Sequence, residues 1–127
     1  MLCSLLGCGS SGSAVKGAVT FDGESMNGGR IFFLPDGEPV GRPTVEVPIE
    51  NGKYCVREKM GLRPGKHRVE IVWHKAPPGK EHLKPGDPGF TTDNWIQTIP
   101  AAYNSKTTLF AELRPGANTF DFALKKP

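Results

Sequence analysis

Sustained helical periodicity is missing from this sequence, and so is any run of like charge. No segment repeats apolar residues every three to four positions, so a long helix is not expected. The 16 lysines and arginines stand singly among 13 acidic residues and leave a net charge of +3. Without an arginine-rich stripe or a lysine run, the chain lacks the electrostatic footprint of a nucleic-acid-binding protein. We therefore expect a strand-rich protein that does not bind nucleic acid.

The sequence also lacks the motifs that assemble a catalytic or metal site. His67, His74 and His82 are separated by seven and eight residues, which fits no zinc motif. There is no Gly-x-Ser-x-Gly elbow and no phosphate-binding glycine loop ending in Lys-Ser or Lys-Thr. The loop aspartates never form the Asp-x-Asp-x-Asp-Gly pattern of a calcium site. The sequence predicts no enzyme activity, no metal and no cofactor.

What the chain has is many short β-type segments separated by turn residues. Its 127 residues suit one domain, and its 16 glycines and 12 prolines are typical of many strands with many turns. A hydrophobic content of 37% suffices for a thin two-layer core, because only alternate strand residues face inward. We predict an all-β, seven-stranded antiparallel Greek-key sandwich with one long loop. The predicted strands are 15–21, 30–34, 44–49, 53–57, 66–73, 107–113 and 118–124.

The segment from 44 to 57 carries the clearest local signals. Val45, Val47 and Ile49 alternate strictly with other residues, and Pro48 confines this strand to the edge of a sheet. Asn51-Gly52 then predicts a two-residue type I′ turn, in which both residues take positive φ values. Residues 53–57 are expected to return from this hairpin.

The N-terminus resembles that of a bacterial lipoprotein. Leu5-Leu6-Gly7-Cys8 is similar to a lipobox, in which signal cleavage leaves the cysteine as the lipidated first residue, and residues 9–14 have the Gly/Ser-rich composition of a flexible tether. A secretory signal needs a basic region and a longer apolar stretch than residues 1–7 supply. We therefore interpret residues 1–14 as a truncated signal and tether, and residues 15–127 as the domain. The alternative, with Met1 as the true start, is a cytoplasmic protein.

The lipobox interpretation determines what the three cysteines are expected to do. Cys3 would leave with the signal and Cys8 would carry the lipid, so Cys55 would have no intramolecular disulfide partner. No histidine or second cysteine lies near Cys55 in the sequence. We expect it to be a small apolar residue on a strand.

Several motifs together resemble a carboxypeptidase regulatory-like domain. The segments that carry the resemblance are 15–20, 27–33, Asn51-Gly52-Lys53-Tyr54, and 63–69, where His67 stands at a position that is usually Tyr in that family. The segments 99–104 and 115–122 resemble a subgroup found in planctomycete-type lipoproteins. The resemblance covers residues 15–124 and implies a transthyretin-like (prealbumin-like) sandwich, grouped with carbohydrate-binding-like folds. It implies no catalytic residue, and a fold does not determine a function.

Residues 74–100 form a segment too long for an ordinary connection. Loops longer than about 12 to 15 residues in compact domains usually bind something or are disordered. Trp95 and Phe90 are candidate ligand-binding residues, because their rings could stack on a sugar or on a partner protein. The competing hypothesis is that Trp95, with Ile96 and Ile99, folds back to cover two outward-facing phenylalanines of the sandwich, Phe32 and Phe110.

The same loop contains His74, Lys75, Lys80, His82 and Lys84, which suit either a solvated surface or an acidic glycan. Two function classes follow from the sequence. The first is a non-catalytic envelope module, anchored in the membrane by a lipid at Cys8, with a structural or protein-interaction role. The alternative is a carbohydrate-binding module that uses Trp95 and Phe90. The expected partners are accordingly the membrane and an envelope protein or glycan, with the domain facing the periplasm or the exterior.

Overall fold

The computed structural model describes residues 12–36, 44–93 and 95–126, and it is all-β. Eleven strands in this part of the chain form two larger sheets and one short ribbon. The buried hydrophobic residues from both larger sheets form one core cluster, an arrangement consistent with a β-sandwich. Two single-turn 3₁₀ helices, Glu58–Met60 and Ala101–Tyr103, lie in the connections.

Sheet I is built around one long central strand, β1 (Ser13–Phe21). On one side β1 pairs antiparallel with β5 (Lys53–Val56) and then with the short β2 (Glu24–Ser25). On the other side it pairs parallel with β10 (Gly116–Thr119) and then with β11 (Phe122–Leu124). The predicted strand 118–124 is therefore two strands, and the expectation of purely antiparallel pairing is wrong for sheet I.

Sheet II contains four antiparallel strands in the order β4-β3-β6-β9. Their bounds are β3 (Arg30–Pro35), β4 (Val45–Pro48), β6 (Gly65–Val72) and β9 (Leu109–Leu113). The strand with Pro48 lies at the edge, as predicted, because proline cannot donate a ladder hydrogen bond. A separate ribbon pairs β7 (His74–Lys75) with β8 (Ile96–Gln97) and closes the long loop at its base.

The alternation read from the sequence describes the core well. Val45, Val47 and Ile49 are buried, and Tyr54 and Val56 on the following strand are buried too. On β6 the alternate residues His67, Val69 and Ile71 are all buried, while Trp73 beyond the strand is half-buried against the core. Alternate residues bury one face because side chains of a strand point to opposite sides.

The predicted turn at Asn51-Gly52 is present, but it does not close a hairpin within one sheet. Both residues have positive φ, 53° and 73°, and Lys53 N donates to Glu50 O at 2.9 Å. The strand before the turn, β4, pairs with β3 in sheet II, whereas β5 after it pairs with β1 in sheet I. The turn therefore carries the chain from one sheet to the other.

The sandwich begins two residues earlier than the sequence indicated. Ser13 and Ala14 are buried in β1, whereas the sequence interpretation assigned them to the tether. The Ser13 hydroxyl donates to Arg114 O at 2.8 Å, and Ser13 N donates to Leu62 O at 2.8 Å. These bonds fix the first described residues to the body of the domain. Residues 1–11, including Cys8, lie outside the described residues.

The start of β1 and the long loop lie at opposite ends of the molecule. Ser13 contacts Leu62 and Arg114, which flank the start of β6 and the end of β9. β6 then runs the length of sheet II before the chain enters the loop at His74. We call these the N-terminal end and the loop end. No helix in the described part of the chain is both long and apolar enough to cross a membrane.

Candidate functional site

Described residues line a groove of about 750 Å³, a volume within the range of ligand pockets, about 300–1,000 Å³. It lies over sheet I and extends to the turn between β4 and β5. Its polar rim includes two lysines and two carboxylates, and its floor is made of backbone and short side chains. The lining residues used below are Lys16, Gly17, Ala18, Glu50, Lys53, Tyr54, Cys55, Thr119 and Asp121.

Strand pairing places the groove residues in two rows across sheet I. Lys16 pairs with Cys55 on one side and with Thr119 on the other. In the next row Ala18 pairs with Lys53, and its amide donates to the Asp121 carboxylate at 2.8 Å. Ala18 therefore lies between a cation and an anion. An occupant could bring its own backbone or side chains close to the sheet at this point.

Gly17 explains how Asp121 comes to lie at the groove. A Cβ atom at position 17 would lie 1.8 Å from Phe120 O, a distance that no side chain permits. Phe120 N donates to Lys16 O at 3.0 Å, so the chain between β10 and β11 crosses directly over Gly17. The missing Cβ permits this close approach, and the Asp121 carboxylate then bonds the amide of Ala18 where the ladder is interrupted.

Tyr54 supports the groove floor from below. Its ring is buried and its hydroxyl donates to Phe120 O at 2.5 Å. Burial raises the pKa of this phenol well above its ordinary value of 10.0, and the negative charge of Asp121 raises it further. Tyr54 therefore stays a neutral hydrogen-bond donor and cannot act as a base. Because its ring is covered, it offers no surface on which a sugar could stack.

Cys55 departs from the expectation of an unpaired thiol, since it is disulfide-bonded. The other two cysteines of the sequence, Cys3 and Cys8, both lie outside the described residues. The sequence interpretation was wrong on this point because it assigned both of them to the signal and its lipid. The groove wall at Cys55 is thus a covalently linked position.

The two predicted ligand-binding aromatics lie elsewhere, in the long loop. Phe90 and Trp95 contact each other edge to face, with ring centroids 6.2 Å apart and planes at 83°. They are half-buried, and the cavity between them, Pro77 and Leu83 is only about 30 Å³, far below the range of ligand pockets. A ligand role for Phe90 and Trp95 stays a prediction.

The predicted cover by the long loop is not present at Phe110, while Phe32 is half-buried. Phe110 is 44% exposed and Ile96 is 54% exposed, while Ile99 is buried in the core instead. The Lys66 ammonium lies 4.5 Å from the centroid of the Phe110 ring. Phe110 was thus correctly predicted to face outward, but its contact is a lysine of the adjacent strand.

The charge of the long loop is balanced. Three carboxylates accompany its three lysines, and two of them bond the loop backbone. Glu81 accepts from Gly79 N at 3.0 Å, and Asp87 accepts from Lys84 N at 2.9 Å. The basic residues singled out in the sequence therefore do not form a positive patch.

Two asparagines that the sequence analysis did not single out fix the connections. The Asn104 side-chain amide donates to Ile71 O, Ile99 O and Pro100 O at 3.0–3.2 Å. At the N-terminal end, the Asn118 amide donates to three carbonyls, including Ala14 O at 3.1 Å. An asparagine after a proline-containing turn is the signal that could have indicated the first of these.

No three His, Cys, Asp or Glu side chains in the described ranges come together as a metal site would require. The groove thus presents lysines, carboxylates, an amide and a hydroxyl that are suited to hydrogen bonding and ion pairing. Comparisons with protein-family models, with curated proteins and with solved structures find no match to this chain.

Proposed function

We propose that this protein is a non-catalytic interaction module, and that it binds an extended segment of a partner protein in the groove over sheet I. One observation carries the proposal: the groove of about 750 Å³ has a floor of backbone and short side chains between Lys53 and Asp121. An extended peptide can place its polar backbone against such a floor, and its charged side chains can pair with both signs at the rim.

The groove favours a polypeptide over a sugar. Sugars are commonly held by an exposed aromatic face, and Tyr54, the aromatic residue among the described lining residues, is buried beneath the floor. The polar rim groups alternate in sign, so an extended segment with both an acidic and a basic side chain fits better than a uniformly charged polymer.

The proposed peptide-binding role of the groove is tested by placing a large side chain in the groove. Peptides selected from a displayed random library on the full chain should bind with an affinity that calorimetry can measure, and Ala18→Trp should weaken that binding at least tenfold. The matched control is Thr20→Trp, on the same face of β1 but outside the groove lining. Equal binding by both variants would contradict the proposal.

The carbohydrate alternative makes a different prediction with the same protein. A glycan array should then report binding that Trp95→Ala removes and Ala18→Trp leaves intact. Absence of glycan binding, together with peptide binding at the groove, would favour the protein-interaction role.

For the fold, we propose a seven-stranded Greek-key sandwich of the transthyretin-like kind. Seven strands result when β10 and β11 are counted as one interrupted strand and the short β2, β7 and β8 are set aside. The order β4-β3-β6-β9 in one sheet and the central position of β1 in the other support this. A solution structure would test the connectivity directly.

For location, we propose that Cys8 carries a lipid and holds the domain at a cell-envelope membrane. The sequence Leu5-Leu6-Gly7-Cys8 supports this. Signal cleavage removes Cys3, and a cysteine sulfur that carries a thioether lipid cannot form a disulfide, so the proposal requires that the lipidated form lacks a disulfide between Cys55 and another cysteine of this chain. Fatty-acid labelling in a bacterial host, with a complete secretory signal placed ahead of Leu5-Leu6-Gly7-Cys8, should mark the wild-type protein and the Cys55→Ser variant, but not Cys8→Ser. Labelling of Cys8→Ser, or none of the wild type, would contradict a lipid at this position.

A further inference from the structure

The four long edges of the two sheets are not equally protected against pairing with another chain. Pairing of another chain at an open strand edge is commonly prevented by a proline, by a lysine or by an interruption of the strand. Pro48 lies on β4, β5 begins with Lys53, and the β10–β11 edge is interrupted at residues 120 and 121. Strand β9 has none of these devices.

Strand β9 runs for five residues, Leu109-Phe110-Ala111-Glu112-Leu113, and pairs along one side only, with β6. Leu109, Ala111 and Leu113 face the core, and Phe110 and Glu112 face outward. In the described part of the chain nothing lies against its other side in a sheet. The strand has the pattern of a central strand but occupies an edge position.

We propose that β9 is a self-association edge, on which a second copy of this chain pairs antiparallel through its own β9. A twofold axis at Ala111 would set Phe110 opposite Glu112 of the second copy, and Leu109 opposite Leu113 of the second copy. Because the axis repeats each contact, both pairs form twice. The two four-stranded sheets would become one continuous sheet.

Under the same axis, the outward side chains next to this edge place no two like charges opposite each other. Lys66 pairs with Glu112, and Arg68 pairs with Phe110, in the register of β6 and β9. In the dimer each Glu112 would lie between its own Lys66 and the Phe110-Arg68 pair of the second copy. Each Glu112 carboxylate then keeps its own Lys66 on one side and has an apolar ring on the other, and each exposed Phe110 ring is covered by the facing strand.

The proposal is tested by measuring the mass of the full chain by sedimentation velocity over a range of concentrations. A reducing agent excludes dimers linked through Cys3 or Cys8. We expect a dimer whose population rises with concentration, and we expect Phe110→Glu to raise the dissociation constant at least tenfold by placing like charges opposite each other. The matched control is Ile96→Glu, which replaces an even more exposed apolar residue away from β9 and should leave the dimer unchanged.

Hydrogen exchange identifies the surface that is used. In the wild type, amides of residues 109–113 should become more protected as the dimer forms, while those of the β4 edge should not change. Circular dichroism of Phe110→Glu should remain that of the wild type, because Phe110 lies outside the core. A monomer at all concentrations, or a dimer that Phe110→Glu leaves intact, overturns the proposal.

Discussion

Gly17 shows how one missing side chain shapes the candidate site. The chain at Phe120 passes so close that any Cβ at position 17 would collide with a backbone carbonyl. Backbone cannot move aside as the end of a flexible side chain can. The interrupted ladder, the position of Asp121 and the edge of the groove all depend on this contact.

We therefore predict that Gly17→Ala destabilises the protein by about 2 kcal/mol or more, the range of overpacked sites. The free energy of unfolding, measured in urea, tests this. Gly61→Ala is the control, because its positive φ of 89° is strained while no atom lies within 4 Å of the added Cβ. The free energy of unfolding of Gly61→Ala should be lower than that of the wild type by only about 1 kcal/mol. An equal loss in both variants would mean that crowding at Gly17 is unimportant.

From the raised pKa of Tyr54 we predict that the protein loses stability at high pH. Its raised pKa means that the folded protein keeps a proton that the unfolded chain releases above the ordinary value of 10.0. The contribution of this protonated phenol to the free energy of unfolding is therefore fully present below pH 10.0. It falls as the pH rises above 10.0, by up to about 1.4 kcal/mol per pH unit. Tyr54→Phe should be less stable at neutral pH by about 1 kcal/mol, since Phe120 O loses its donor, but its stability should decline less between pH 10.0 and 12.

Denaturant unfolding at several pH values measures this difference. Tyr103→Phe is the control for the second tyrosine of the chain. Parallel pH profiles for the wild type and Tyr54→Phe would show that the phenol of Tyr54 does not carry the effect.

At the scale of secondary-structure elements, the long loop is fixed to the sandwich mainly at its base. Asn104 joins the end of β6 to the segment that follows the loop, through hydrogen bonds from one buried amide to three carbonyls. The side-chain oxygen of Gln97 accepts hydrogen bonds from Trp73 N at 2.8 Å and from Ile99 N at 3.1 Å. Within the loop the hydrogen bonds that maintain its shape are short-range turns.

We predict that Asn104→Ala lowers the free energy of unfolding by about 2–3 kcal/mol, because it leaves several buried carbonyls without a donor. Hydrogen exchange should speed up in residues 96–104 while β1 and β3 stay protected. Asn27→Ala, which removes an exposed amide, should change neither quantity. Uniformly faster hydrogen exchange throughout the sandwich would contradict the prediction that Asn104 stabilises residues 96–104 locally.

Alternation and turn chemistry predicted the strands well because these signals are local. The buried phases of β4, β5 and β6, the edge position forced by Pro48 and the positive φ at Asn51-Gly52 all follow from a few adjacent residues. The choice of partner strand does not follow from adjacent residues. Nothing near Asn51-Gly52 indicates that β4 and β5 belong to different sheets.

The candidate site was not predicted because it is made by contacts between distant parts of the chain. Ala18 and Asp121 are 103 residues apart, and the groove between them exists only when β10 and β11 lie beside β1. Aromatic residues in a long loop drew attention to Phe90 and Trp95 instead. The sequence could not indicate that these two rings contact each other beside a cavity of only about 30 Å³.

For the whole molecule, the topology gives the proposed lipid anchor a definite geometry. The described chain starts at the N-terminal end, and β1 extends for nine residues, about 30 Å, toward the loop end. The long loop and the end of β11 are then held away from the membrane. The groove over sheet I lies along the side between the two ends.

We predict that a fluorophore at Arg63→Cys is quenched more strongly by a lipid-borne quencher than one at Ser105→Cys, when the lipidated protein is bound to vesicles. Both positions are exposed, one near the N-terminal end and the other near the loop end. Circular dichroism checks that both variants are folded. Equal quenching would contradict an upright domain, and stronger quenching at position 105 would reverse its orientation.

The parallel pairing of β1 with β10 and β11 also determines how the domain would respond to mechanical force. If the N-terminal end is held and a partner pulls at the loop end, the force runs along β1 and the strands beside it slide lengthwise. The hydrogen bonds on both sides of β1 are then loaded in shear and resist together, instead of opening one after another. The central strand that follows the proposed anchor is thus the one best placed to bear tension.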